Sequence, residues 1–462
     1  MVWEVLDDRG FMEKSYKREN GIVNGVIWKQ ILIFFFPILV GAVFQTLYNT
    51  VDAVVVGRFS GKTALASVGG SSGQIVNFIF SFFMGLSTGA TVIIAQAYGA
   101  EDHKRVDEAL HTAYTFALSG GVVLGVIGVI FARPMLELLQ TPADLFAESI
   151  TYVRLLMGGL VFTLIYNVGS AILRAIGDSR RPLYILMACC GINIVLDLIF
   201  VAVLHQGVFG AGIATVISQA FSAVLITWLL MKKTPGMELS LRRLHMNGTI
   251  LEKILQIGLP TAISGSMFSI SNMILQAAIN HMGSDTVAAW TAYGRIDAFW
   301  WMIDQAFCIS ITTFVGQNYG AGKPERIKKG ITEVIIMETV LAVVIGFFVV
   351  TAAPVLLSFF TKSKTVIEIG RQISLEIAPF YWTFIISEIL SSALRAENYV
   401  MISTITNLLG ICVFRIIWVY FMASSGIAHL LYCYPVSYVI TSTIVFIYFC
   451  WRQPRIFKKM AK

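Results

Sequence analysis

Long, uninterrupted blocks of apolar residues recur along this sequence and restrict its fold more than any other feature. Blocks such as 183–204 and 331–353 reach the roughly 20 residues that a helix needs to cross a bilayer core. Backbone polar groups in lipid must be paired within their own segment, and barrel strands would be shorter and alternating. Only 13% of the 462 residues are charged, against about 25% in ordinary soluble domains. The sequence therefore predicts a helical membrane protein.

The apolar blocks number twelve, so both termini are expected on one side of the membrane. The predicted helices span residues 27–56, 67–97, 109–132, 153–174, 183–204, 208–231, 254–280, 286–316, 330–353, 373–394, 400–423 and 427–451. Most Lys and Arg residues lie in the loops on the side of the termini, which the positive-inside rule assigns to the cytoplasm. Because the net charge of +7 resides in these short loops, its expected partner is membrane lipid and not nucleic acid.

An internal repeat divides the chain into two halves. The stretch 96–100 recurs at 317–321, and 170–175 recurs at 391–396, in both cases 221 positions later. Six helices per half make the halves parallel. We therefore predict an all-α membrane protein with 12 transmembrane helices in two pseudo-symmetric six-helix lobes. The predicted divisions are a cytoplasmic N-terminal segment (1–26), an N-lobe (27–231), a cytoplasmic inter-lobe linker (232–253), a C-lobe (254–451) and a basic cytoplasmic tail (452–462).

Ionisable groups deep in the membrane are functional candidates, because each costs at least about 2.5–3.5 kcal/mol to insert. In the first half these groups are Asp52 and Asp197. Gln45 and Asn49 form a supporting polar stripe with Asp52, while Asn193 shares a helix face with Asp197. With Thr215 in the sixth helix, the set offers oxygen ligands for a small cation, and paired carboxylates also retain protons. In the alternative interpretation, Asp52 lies at the outer end of its helix and Asp197 only caps or bridges helices.

The second half carries intramembrane charges of both signs. We predict that Arg415 forms an internal ion pair with Asp304 or Glu388, and these residues are also possible coupling groups. Glu338 is favoured as structural. Pro37 and Pro260 each remove a backbone hydrogen bond, so both are candidate kinks. No nucleophile–base set or metal motif indicates a membrane enzyme, so we expect no enzymatic activity and no metal beyond a coupling ion.

The chain resembles the multidrug and toxic compound extrusion (MATE) family, in its prokaryotic DinF-like branch. The stretches that carry the resemblance are Pro37 with 45–57 (QTLYNTVDAVVVG), 95–100 (AQAYGA), 173–179 (LRAIGDS), 193–197 (NIVLD), 207–215 (GVFGAGIAT) and 316–322 (GQNYGAG). Each stretch alone is weakly specific, whereas the ordered set covers nearly the whole chain. The seventh helix has no interior carboxylate, unlike in other branches of the family.

The resemblance implies a secondary active multidrug antiporter that exports organic, mostly cationic drugs in exchange for H⁺ or Na⁺, by alternating access of its lobes. It places the coupling site, with Na⁺ as its only possible metal, at Asp52, Asn193, Asp197 and Thr215, and implies no cofactor besides the coupling ion. A monomer in a bacterial or archaeal inner membrane is expected. The alternative is a lipid-linked saccharide flippase of the same superfamily, which would favour a cationic cavity.

Overall fold

The computed structural model describes residues 21–232, 238–423 and 425–460. Residues 1–20 of the predicted N-terminal segment, 233–237 of the predicted linker and the last two residues of the predicted tail lie outside this description. The described chain is helical, and its regular elements contain no strand.

The helices long and apolar enough to cross a membrane number eleven, or twelve when one bent pair is taken as a single span. We label them in chain order as α1 (Ile27–Phe59), α2 (Thr63–Gly99), α3 (His103–Leu138), α4 (Ala143–Gly158 with Leu160–Ala175), α5 (Arg180–Val203), α6 (Gly207–Met231), α7 (Gly248–Asn280), α8 (Ser284–Gly320), α9 (Pro324–Ser358), α10 (Lys364–Ala396), α11 (Val400–Met422) and α12 (Ile427–Lys458). The predicted fold class is confirmed.

Large apolar side chains on the helix surfaces show which medium the fold requires. On α9, a contiguous face exposes Val340, Val343, Val344, Phe347 and Phe348, and Phe347 is 72% exposed. A soluble monomer rarely carries so large an apolar surface. These faces therefore contact lipid.

The fourth span differs from the single helix predicted over 153–174. It begins ten residues earlier, at Ala143, and bends by 48° around Gly159. A Cβ at Gly159 would lie 2.7 Å from a methyl group of Val216. The glycine thus allows α4 and α6 to approach closely at the point where the helix weakens. Periodicity alone does not reveal such a bend, because the sequence stays apolar through it.

Two spans contain a π-helical turn. In α5 the regular helix ends at Asp197 and continues as a π turn over Leu198–Val203. In α11 the regular helix ends at Asn407 and continues as a π turn over Leu408–Val413. Such turns are rare and are frequently found at functional sites.

Two compact units make up the chain, and their boundaries cut through α1 and α7. One unit comprises the described residues up to Asn24 and Phe36–Ala262, and the other comprises Gly25–Phe35 and Ile263–Lys462. The beginning of α1 therefore belongs with the C-terminal unit, and the beginning of α7 belongs with the N-terminal unit. This division differs from the predicted lobes, which began at residues 27 and 254. Both cuts fall within three residues of a proline, Pro37 or Pro260.

Specific contacts hold each exchanged half-helix in its unit. In the C-terminal unit, the Arg326 guanidinium donates to the Gly25 carbonyl at 2.9 Å and to Asn318 Oδ1 at 3.1 Å. Phe35 stacks on Phe307 with ring centroids 4.1 Å apart. In the N-terminal unit, Asn247 accepts from the first amides of α7 and donates to Glu108 at 3.2 Å. Its backbone amide donates to Thr112.

Backbone packing between α2 and α7 generates the first stability prediction. A Cβ at Gly89 would collide with the Ile254 carbonyl, whereas a Cβ at Gly120 would meet nothing within 4 Å. Gly89→Val should destabilise the protein by at least about 1–3 kcal/mol through overpacking. Thermal unfolding in detergent measures the loss, with Gly120→Val as the matched control. Equal melting temperatures for the two variants would contradict this packing.

Glu397 follows α10 on the side of the membrane that carries the basic loops. Its side chain is wholly buried, and Gln453 Nε2 donates to its Oε1 at 2.8 Å. Burial raises the pKa of Glu397 from 4.5 to about 7, against the opposing effect of the Gln453 hydrogen bond. The folded state therefore binds this proton more tightly than the unfolded state does.

Linkage then fixes the direction of the pH dependence. Below the unfolded-state pKa of 4.5, Glu397 is protonated in both states and does not lower the free energy of unfolding. As the pH rises from 4.5 to about 7, the unfolded state loses this proton first, so the free energy of unfolding falls. Glu397→Gln keeps an acceptor for Gln453 and should stabilise the protein by about 3 kcal/mol near pH 8, with little effect near pH 4.5. Melting temperatures across this range test the prediction, with the exposed Glu325→Gln as control. A gain that does not vary with pH would contradict it.

Candidate ion-coupling site

The first carboxylate of the predicted site, Asp52, lies on the C-terminal half of α1 and within the N-terminal unit. It is 7% exposed, so the alternative interpretation of a solvated helix end is wrong. Tyr48, one turn earlier, is also buried, whereas Gln45 is half-buried and Asn49 is exposed. The buried face of α1 is thus formed by Tyr48 and Asp52. Gln45 and Asn49, which were predicted to support the site, do not both face the protein interior.

The second carboxylate, Asp197, lies on α5 with Asn193 one turn before it. Both side chains are wholly buried. Asp197 is the last residue of the regular helix before the π turn. Its spacing from Asn193 places both side chains on one face, as the sequence predicts.

Unpaired polar atoms characterise this region. Within the described residues, the buried atoms without a hydrogen-bond partner include Asp52 Oδ1, both side-chain polar atoms of Asn193, both oxygens of Asp197, Thr215 Oγ1 and the Tyr48 hydroxyl. An unsatisfied buried polar group costs about 1–3 kcal/mol, and a charged one costs more. Oxygens of this kind, from carboxylates, an amide and a hydroxyl, fit a small cation or a shared proton.

The structure brings most of these groups into electrostatic contact. Asp52 and Asp197 interact with each other, and Tyr48 interacts with both while lying next to Thr215. Tyr152 of α4 interacts with the two carboxylates and with Tyr48. Tyr48 could have been found from its one-turn spacing to Asp52. Nothing in the sequence marks Tyr152, because tertiary packing of the bent α4 brings it to the site.

An apolar layer adjoins the site. It comprises Val55, Val56, Ala64, Val68, Tyr152, Val201, Val208 and Ala211, from α1, α2, α4, α5 and α6. Such a surrounding excludes water and strengthens electrostatic interactions among the enclosed groups. A change of charge at these groups therefore has a larger energetic effect here than it would have in water.

The predicted ion pair of Arg415 in the C-terminal unit is wrong. Arg415 is 1% exposed, and its guanidinium lies over the Tyr434 ring at 4.1 Å, with the rings of Phe268 and Tyr438 at 5.6 and 5.5 Å. The described chain shows no salt bridge from it to Asp304 or Glu388. A planar, weakly hydrated guanidinium is stabilised by aromatic faces, so a direct carboxylate partner is not required.

The negative charge near Arg415 comes from Asp297. The sequence did not identify this residue as a partner of Arg415. Asp297 accepts hydrogen bonds from Tyr293, from Tyr381 and from the Trp301 indole, the last at 2.7 Å. Aromatic donors thus satisfy its carboxylate. Asp304 is buried and Glu388 is half-buried, and both lie close to Arg395.

Comparison with known proteins assigns this architecture. The MatE family model matches residues 37–199 and again 260–421, starting at Pro37 and at Pro260. Probable multidrug resistance protein YoeA of Bacillus subtilis (strain 168) is 29% identical over 392 residues, which are 83% of this chain and 84% of that protein. Multidrug export protein MepA of Staphylococcus aureus (strain MRSA252) is 22% identical over 352 residues, covering 74% and 76%.

Solved structures show the same fold. A MOP superfamily transporter from Pyrococcus furiosus, described as having a binding pocket of reverse polarity, superposes with a TM-score of 0.88 at 24% identity, over 95% of this chain and 98% of that chain. A MATE structure in the bent conformation gives a TM-score of 0.89 at 23% identity, over 96% and 99%. The double match to the family model, which spans most of the chain, establishes that this protein belongs to the MATE family of membrane transporters and is not an enzyme.

Proposed function

We propose that this protein is a multidrug exporter that moves organic, mostly cationic compounds out of the cell in exchange for Na⁺ or H⁺. Relatives named as multidrug resistance and multidrug export proteins support the substrate class. The observation that carries the coupling proposal is Asp197, which is wholly buried with neither oxygen partnered in the described chain. A carboxylate in that state gains strongly from binding a cation or a proton.

The proposed mechanism is alternating access of the two lobes, with the basic side of the membrane in the cytoplasm. Ion binding at Asp52, Asn193, Asp197 and Thr215 changes the charge of the N-terminal unit. Because coupling between two ligands is reciprocal, the ion and the drug must favour opposite states of the carrier. Asp52 lies on α1, whose beginning belongs to the other unit, so a bend at Pro37 would transmit the change. Pro260 offers an equivalent hinge in α7. A monomer contains every part that this mechanism uses.

The flippase alternative receives no support from the intramembrane arginines. It requires cationic side chains that face an anionic lipid-linked group. Arg295 is exposed on the surface of α8, and aromatic rings enclose Arg415. The acidic N-terminal site favours a cationic substrate and a cationic counter-ion.

Removing either carboxylate should uncouple transport. Asp52→Asn and Asp197→Asn keep the side-chain size but remove the charge that binds the ion. We expect each to reduce efflux of ethidium from energised cells by about tenfold or more, within the range of typical coupling energies. The exposed Asp144→Asn is the matched control. Wild-type efflux by both variants, at equal amounts of protein in the membrane, would refute the assigned site.

The coupling ion can be identified in proteoliposomes. A Na⁺ gradient or a pH gradient is imposed separately, and ethidium movement is followed by fluorescence. One of the two gradients should drive accumulation in the wild type, and Asp197→Asn should abolish that response because it lacks the ion-binding charge. Accumulation at the same rate without either gradient would show that the carrier is not an antiporter.

A further inference from the structure

One exposed face of α12 passes from apolar to basic side chains without a break. Residues 452–460 of the predicted basic tail continue this helix. Six exposed residues follow one another along it at intervals of three or four, namely Ile440, Ile444, Ile447, Trp451, Arg455 and Lys458. This spacing places them on one side of the helix. Because the apolar part of the face contacts lipid, its aromatic and basic end lies at the level of the lipid headgroups.

Two arginines at this end of α12 each lie over an aromatic ring. The guanidinium carbon of Arg455 is 3.9 Å from the centre of the Trp451 ring. That of Arg452 is 4.4 Å from the centre of the Tyr399 ring, which lies in the turn between α10 and α11. A ring beneath the face of a guanidinium fixes its plane and leaves the N–H groups at its edge available. Because they are three residues apart, Arg452 and Arg455 are neighbours on the helix surface.

No acidic side chain neutralises these two arginines. The described chain contains no salt bridge from either guanidinium, and Arg452 Nε is buried without a hydrogen-bond partner. Glu397 accepts a hydrogen bond from Gln453 instead, and no Asp or Glu follows it in the sequence. A guanidinium N–H gains strongly from an anionic acceptor, above all from one that two N–H groups can reach together. This end of α12 therefore favours an anion.

The first half of the chain carries part of the same arrangement at the end of α6. Lys232 Nζ lies 4.0 Å from the centre of the Trp228 ring, one turn earlier. Trp451 and Arg455 follow this pair in the sequence by 223 positions each. Arg452 has no such counterpart, because the residue 223 positions earlier is a buried leucine. The repeated helix thus packs without a second cation at this level, so the scaffold itself does not require the paired arginines.

We propose that Arg452 and Arg455 form a binding site for the phosphate group of an anionic phospholipid. The phosphate oxygens accept hydrogen bonds from the edges of both guanidinium groups, while the acyl chains lie along Ile444 and Ile447. This adjoining apolar face favours a lipid over a soluble phosphate. An anionic headgroup is favoured over a choline headgroup because the arginines are cationic and no acid follows Glu397. The site lies in the C-terminal unit, and lipid binding does not rest on the proposed antiport.

Native mass spectrometry of the purified full-length protein tests the proposal. The protein in detergent is titrated with dioleoylphosphatidylglycerol or with dioleoylphosphatidylcholine, and the lipid-bound masses are quantified. The wild type should bind the first phosphatidylglycerol more tightly than phosphatidylcholine. Arg452→Gln with Arg455→Gln should weaken that binding by about tenfold or more, as expected for two basic residues near a membrane surface. Equal affinity of the wild type for the two lipids would overturn the proposal.

The matched control removes the same charge elsewhere among the basic loops. Arg242 and Arg243 are exposed residues of the linker between α6 and α7. Arg242→Gln with Arg243→Gln should leave the tightest phosphatidylglycerol binding unchanged. An equal loss in both double variants would show a general attraction of basic loops for anionic lipid, and it would overturn a site at Arg452 and Arg455.

Thermal unfolding supplies a second measurement and checks the fold. Phosphatidylglycerol should raise the melting temperature of the wild type above its value in phosphatidylcholine, and it should not do so for the Arg452→Gln, Arg455→Gln variant. If that variant already melts lower in phosphatidylcholine, Trp451→Leu replaces it under the same criteria, because it keeps every charge and removes the ring beneath Arg455. Glycerol 3-phosphate should give no shift. A shift equal to that of the lipid would assign the site to soluble phosphates and contradict the proposal.

Discussion

A helix in lipid has no water to complete its hydrogen bonds, and the rest of this structure depends on that constraint. Regular helix is the default because it pairs every backbone group internally. The bend and the two π turns described above depart from regular helix, and they lie close to buried polar residues. The bend at Gly159 brings Tyr152 to the N-terminal site. Each π turn begins immediately after a buried polar residue, Asp197 in one repeat and Asn407 in the other. Backbone irregularity and buried polar chemistry thus occur together.

The two halves share a repeated helical framework, but their buried acidic residues lie at different positions of the repeat. Asp197 corresponds to Trp418 at the repeat offset, just as Asp304 corresponds to Phe83. Asp197 and Asp304 therefore occupy positions where the other half carries an aromatic side chain. In the N-terminal unit the acids adjoin an apolar layer that includes Tyr152 and Val201. In the C-terminal unit they lie near Arg395 and Asn407. Similar backbones thus hold two carboxylate environments of different composition.

Much of this organisation can be predicted from the sequence, because lipid imposes length and polarity rules that single residues display. The helix count, the repeat and the buried carboxylates of the first half all follow from such rules. The partner of Arg415 does not, since the choice between carboxylates and aromatic rings depends on side chains from α7 and α12. The bend in α4 and the position of Tyr152 depend on close packing at Gly159. The sequence likewise does not show that α9 brings Glu338 close to Asp304 of α8.

The exchange of half-helices between the two units has a consequence for how the chain is made. The hydrophobic core of the N-terminal unit includes Ile250, Ile254, Ile257 and Ala262, all from the beginning of α7. A ribosome that has synthesised only the first six helices has therefore not yet produced part of that core. The contacts of the beginning of α1 form later still, because its partners Arg326 and Phe307 belong to helices of the second half. The packing of the first half is consequently completed only after part of the second half has been synthesised.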